Sequence, residues 1–310
     1  MHFTKKVAAP LALAGFAAAA PAGKSGESLV ARNNGGGGGY DDATILNYAL
    51  TLEHLEAAFY RSGLDMYNAG AFNDAKYPSW VRERFTEIAN HERTHVEFLT
   101  TALTAAGATP VKECSYNFGV SSPETFLATS QILEGVGVAA YLGAAPSISN
   151  KDYLAVAGSI LVVEAQHETW VKSSADNKDG FPRPFAAGLD FDQVYSLAAP
   201  FITSCPSSNP ALPFKAFPAV TVTNTGTLKT GDTVNFKTEK DVGAKYAAFV
   251  SAVGTNFVPV SGTSGSIKIP EGITGQSYLI LTKTKSVSDS ATVAGPAIVD
   301  IPVPAQNFDY

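Results

Sequence analysis

Two short segments carry the residues best suited to chemistry. HERTH places Glu92 three residues before His95, and EAQH places Glu164 three residues before His167. In an α-helix that spacing puts carboxylate and imidazole on one face, about one turn apart. One Glu-x-x-His is a common accident; two, each inside a stretch of helical periodicity, are stronger evidence. Two further carboxylates, Glu53 and Glu134, lie in similar stretches, and each is followed seven residues later by a tyrosine, Tyr60 and Tyr141. Leu46 and Ala49 share the helix face of Glu53; Leu127, Ser130 and Val138 share that of Glu134. These carboxylates therefore point toward a core. Burying ionised carboxylates is costly, and four at one level repel each other. Two divalent cations would offset four such charges, with neutral imidazoles completing the ligand set.

The elements that must position these groups are helices. From residue 41 to about 202 the chain is rich in Ala and Leu and punctuated as helices are. Four long helices are predicted: 42–62, one beginning after Ser79 as N-cap and stopping at Gly107, one opening with Ser122-Pro123-Glu124 and ending near Gly143, and 151–173. A short fifth helix is expected over 190–202. Each long helix supplies one of the four carboxylates, so all six ligand-type groups would meet at the centre of a bundle. Residues 108–121, between the second and third helices, are long enough for a crossover. Beyond a Pro/Ser linker at 204–213 the texture changes. Residues 214–304 are rich in Thr, Val, Ser and Gly with period-2 alternation, as in Val234 and Phe236 or Ile267 and Ile269. About seven strands are expected there, in an immunoglobulin-like β-sandwich. The fold class is thus α+β: a four-helix bundle over 41–203 followed by a sandwich.

LNYALTLEHLEAAFY, HERTHVEF and VVEAQHETW resemble the helices of the ferritin-like superfamily. More closely, they are similar to its secreted branch of desiccation-related, stress-response and late-sexual-development proteins. The resemblance covers residues 41 to 202 and not the β region, whose presence speaks against a ferritin cage. It implies metal ligands at Glu53, Glu92, His95, Glu134, Glu164 and His167. Glu56, one turn beyond Glu53, could replace it or serve as a seventh, mobile ligand. The tyrosine seven residues after Glu53 favours Glu53. Tyr60 and Tyr141 are expected to bond carboxylates in the core, with a redox role as the sharper alternative. His54 and His91 adjoin ligand positions but face elsewhere, as surface groups or as groups standing behind the ligands; Glu87, Glu97 and Glu168 read as solvated charges, and Trp80 and Trp170 as packing. A ligand set of carboxylates with two imidazoles suits two iron or manganese ions. Such a centre would act on dioxygen or a peroxide. The competing reading makes the bundle a scaffold and the β-sandwich a module that binds cell wall or a protein partner.

The remaining features bear on location. Lys5 and Lys6 precede an apolar stretch that ends in small residues, a signal-peptide pattern over 1–20. A glycine-rich segment follows over 21–40. Secretion is expected, and with it a disulfide between Cys114 and Cys205, the two cysteines of the chain. A net charge of −6 with no basic stripe gives no support for nucleic acid or anionic membrane as partners.

Overall fold

The computed structural model describes residues 39–303; the signal-peptide pattern and nearly all of the glycine-rich segment lie outside them. The helical part comprises α1 (Asp42–Met66), α2 (Ala69–Asp74), α3 (Ser79–Ala105), α4 (Pro123–Ala144), α5 (Lys151–Trp170) and α6 (Phe191–Ala198). Local chemistry sets most of the starts. Asp41 accepts from the Thr44 backbone N–H, Asn150 from those of Asp152 and Tyr153, and Ser122 forms a capping box with Thr125 ahead of Pro123. α3 departs from expectation. Ser79 is already helical, and Pro78, which makes no side-chain cap bond, occupies the N-cap position. Its φ of −56° and ψ of 147° are the non-helical geometry of an N-cap residue. Gly107, at φ +75°, follows the α3 terminus as foreseen.

α1 packs along α3, α4 along α5, and α1 against α4. The bundle is therefore two helical hairpins brought face to face. α2 was not foreseen: Asn68 caps it, and its buried Phe72 joins Phe85 and Phe126 in an aromatic cluster around Tyr60. α5 continues past His167 into a single π-helical turn, Val171–Ala175. The crossover holds a two-residue strand, β1 (Ser115–Tyr116), paired with β2 (Ile202–Ser204). Beside it Cys114 and Cys205 form the expected disulfide, with their Cα atoms 4.2 Å apart.

Seven strands follow in two antiparallel sheets. β3 (Thr221–Val222), β4 (Thr233–Lys237) and β7 (Ser264–Lys268) form one; β6 (Gly254–Pro259), β5 (Tyr246–Ser251), β8 (Gly275–Thr282) and β9 (Thr292–Ile301) form the other. The chain changes sheets after β4, β6 and β7, the connectivity expected of an immunoglobulin-like sandwich. Val234, Phe236 and Ile267 from one sheet meet Ala247, Phe249, Leu279 and Leu281 from the other.

The inner strands of the four-stranded sheet, β5 and β8, are buried on both faces. Alternate residues of the same strands, Ala248 and Val250 in β5 and Tyr278 and Ile280 in β8, belong to the core of the helical bundle. Polar contacts reinforce this packing. The Tyr278 hydroxyl donates to the Gly135 carbonyl in α4 at 2.9 Å, and the Gln131 amide donates to Asp300 at 3.1 Å. The sandwich is thus fastened to the helix that carries Glu134.

Candidate metal centre

Glu53 (α1), Glu92 (α3), Glu134 (α4) and Glu164 (α5) are all fully buried, one from each long helix. His167 is buried and His95 nearly so. Their side chains form two overlapping groups. Glu53, Glu92, His95 and Glu164 each offer a ligand atom within 4.8 Å of the others, and so do Glu92, Glu134, Glu164 and His167. Glu92 and Glu164 belong to both groups. The two Glu-x-x-His carboxylates therefore occupy the middle, with Glu53 and His95 on one side and Glu134 and His167 on the other.

The spacing within each group fits a cation. The His95 Nδ1 lies 3.1 Å from Glu53, 3.3 Å from Glu92 and 3.4 Å from Glu164. The His167 Nδ1 lies 3.0 Å from Glu92 and 3.2 Å from Glu134. Ligands that bind one ion at about 2.1 Å, at angles between square and tetrahedral, stand about 3.0–3.4 Å from each other. Orphaned polar atoms point the same way. Oε1 of Glu92 and both carboxylate oxygens of Glu164 are buried with no aligned hydrogen bond, although an imidazole nitrogen stands close by. Buried acceptors left unpaired are costly, and these three belong to the two carboxylates common to both groups.

The electrostatics show the same strain. Burial pushes the carboxyl of Glu53 up to about 7. Burial also raises Glu134, and it raises Glu164 well above the usual range with help from Glu92. Glu92 alone is lowered: burial acts against it, but the adjacent imidazoles of His167 and His95 bring it down to about 2. Both imidazoles are driven up against the pull of burial, His95 by Glu164, Glu53 and Glu92, and His167 to about 11 by Glu134 and Glu92.

The tyrosines are crossed between hairpins. Tyr60 of α1 donates to Glu134 of α4, and also contacts Ser130 at 2.6 Å; Tyr141 of α4 donates to Glu53 of α1 at 2.5 Å. Glu56 is buried but belongs to neither four-residue group, and it makes no hydrogen bond among the described residues.

Two readings from sequence need correction. Glu168 is not a solvated charge: it is 18% exposed and pairs with Lys172, which is buried at 5%. The lysine lies one turn on, in the π-helical segment that turns it inward. Trp80 is 42% exposed, with its ring edge-on to Trp170, so it packs only in part. Glu87 and Glu97 do lie on the surface, paired with Arg84 and Arg93. His54 bonds the Val111 carbonyl. His91 takes the second of its two expected places, behind a ligand. Its ring stacks on His167, with centroids 5.2 Å apart, and its Nδ1 meets the His167 Nε2 at 3.0 Å. Orienting groups of this kind commonly fix a ligand histidine from behind. Its position one residue before Glu92 was the signal, but helix geometry alone did not reveal the neighbouring α5.

A bundle of two helical hairpins, with four inward carboxylates and two imidazoles at its centre, defines the ferritin-like class of helical domains. The comparison with known families agrees with this fold: residues 41–176 match the ferritin-like domain. The chain is also similar to Protein rds1 of Schizosaccharomyces pombe, at 26% identity over 181 residues. That similarity covers 58% of this chain and spans less than half, 44%, of the relative.

Proposed function

We propose that the helical domain binds two iron or manganese ions and uses them in redox chemistry on dioxygen or a peroxide, in a secreted protein that protects against oxidative or drying stress. The overlap of two four-residue groups at Glu92 and Glu164 carries this reading, because sharing two carboxylates keeps a pair of cations close. Glu53 and His95 would hold one ion, Glu134 and His167 the other, and the shared pair both. The ions would supply a change of oxidation state and an electrophilic seat for a small oxygen species.

The chain supplies the surroundings. Tyr141 and Tyr60 hold the outer carboxylates in place through their phenolic hydrogens. Burial and the adjacent carboxylates keep both phenols well above their usual pKa, so they stay protonated donors. Phe59, Phe72, Phe85 and Phe126 pack around Tyr60 and exclude water from that end. His91 keeps the His167 ring turned so that its Nδ1 faces the centre.

Reconstitution of the mature protein with iron or manganese, followed by peroxide and dioxygen consumption assays, tests the reading. Bound metal with turnover abolished by Glu134→Ala or His95→Ala supports it. Failure to retain either metal would overturn it.

A further inference from the structure

A cavity of about 260 Å³ lies beside the metal centre, between α1, α4, the end of α6 and β9. Its walls are apolar, among them Leu55, Leu133, Val136, Phe201 and Ile298. One titratable group, Glu56, enters this lining. Glu56 is 4% exposed and has no hydrogen-bond partner among the described residues. The cavity reaches the centre at Gly137. A side-chain carbon placed there would stand 2.8 Å from Glu164 Oε2 and 3.1 Å from Glu56 Oε1. Glycine at this position therefore leaves open the space where the two carboxylates approach each other.

The Glu56 carboxylate accepts no hydrogen bond among the described residues, and the cavity is where a donor can reach it. Glu56 stands outside both groups of potential metal ligands. The cavity is larger than the roughly 150 Å³ space that accommodates benzene in a protein interior. It has room for a ring of carbons and a polar substituent. Glu56 is the one carboxylate in the lining, so an ammonium would exchange its hydration for a single charged group in otherwise apolar walls, whereas a hydroxyl needs only one acceptor.

We propose that this cavity is a binding site for a small, mostly apolar molecule bearing one hydroxyl group, held with the hydroxyl donating to Glu56. A site built around one polar group discriminates strongly against an analogue that lacks the matching donor. The proposal concerns binding and does not depend on the metal reading.

The probe is 4-bromophenol, with bromobenzene as the analogue lacking the donor. Calorimetric titration is carried out on the mature protein as isolated and again after chelation. A crystal soaked with the phenol is examined for the bromine anomalous peak. The expected results are binding at least tenfold tighter for the phenol in both preparations, and a bromine peak inside the cavity. Glu56→Leu should remove that preference while leaving metal content unchanged. Leu133→Trp, or Val136→Phe if the first does not fold, should abolish binding of both compounds. The proposal is overturned if the phenol does not bind at millimolar concentration, if the bromine lies elsewhere, or if Glu56→Leu keeps the preference. It is equally overturned if Glu56→Leu loses metal, since Glu56 would then be a ligand of the centre.

Discussion

Tyr60, on the first helix of one hairpin, gives its phenolic hydrogen to Glu134 on the first helix of the other. The relation is reciprocated, because Tyr141 on α4 bonds Glu53 on α1. Each tyrosine follows one carboxylate by seven residues yet serves the other. This exchange ties the hairpins together at the level of the centre and fixes both outer carboxylates. Tyr141→Phe should leave Glu53 Oε1 without its donor at a cost of about 1–3 kcal/mol. Thermal unfolding of the metal-free variant measures that loss, and an unchanged midpoint would show that the bond contributes nothing.

Gly137 faces the Glu164 carboxylate closely enough that an added methyl would meet it at 2.8 Å. Gly137→Ala should therefore lower metal content, since Glu164 belongs to both ligand groups. The helix itself should gain up to about 1 kcal/mol from the substitution. Loss of metal with unchanged far-ultraviolet circular dichroism is the expected outcome, read by elemental analysis. Full metal content would show that Glu164 has room to move.

Stability should depend on pH in opposite directions with and without metal. In the metal-free protein burial raises Glu53 to about 7, and raises Glu134 and Glu164 as well. Their stabilising effect is complete below the ordinary carboxylate range and is lost as pH rises through the raised values. His167, raised to about 11 by Glu134 and Glu92 against the effect of burial, acts in the same sense at higher pH. Glu92, held near 2, loses its contribution only in strong acid. Between pH 5 and 8 the metal-free protein should therefore lose stability, on the order of 3 kcal/mol from Glu53 alone. Bound cations compete with protons, so the loaded protein should gain stability over the same interval. Urea titrations at the two pH values check this, and parallel trends would contradict it.

Much of this was legible in the sequence because helix periodicity fixes what a side chain faces. Two Glu-x-x-His repeats and two lone glutamates among Ala and Leu gave the ligand candidates, and the changed texture after residue 213 gave the sandwich. What escaped depends on contacts between distant segments. His91 acquires its role from α5, 76 residues away, and its own helix carries no mark of that. The crossed pairing of the tyrosines follows from hairpins meeting face to face. β5 carries no strand signature, because YAAFVS is buried on both faces and shows no alternation. That continuous burial is itself the trace of the sandwich packing against the bundle.

The Cys114–Cys205 disulfide closes a segment of 91 residues that contains α4, α5 and α6. Its removal by the double Cys→Ser substitution should cost about 2–5 kcal/mol. The same fall in unfolding midpoint should follow from adding a reductant to the unaltered protein. A midpoint insensitive to both treatments would show that the bond does not constrain the unfolded chain.

On the proposed function, Glu92 and Glu164 serve two ions at once while the outer residues serve one each. Metal bound per chain, measured by mass spectrometry of the reconstituted protein and its variants, tests it most directly. Two ions are expected in the unaltered protein, one after Glu53→Ala or Glu134→Ala, and none after Glu92→Ala. A single ion in the unaltered protein, or two retained after Glu92→Ala, would contradict the account.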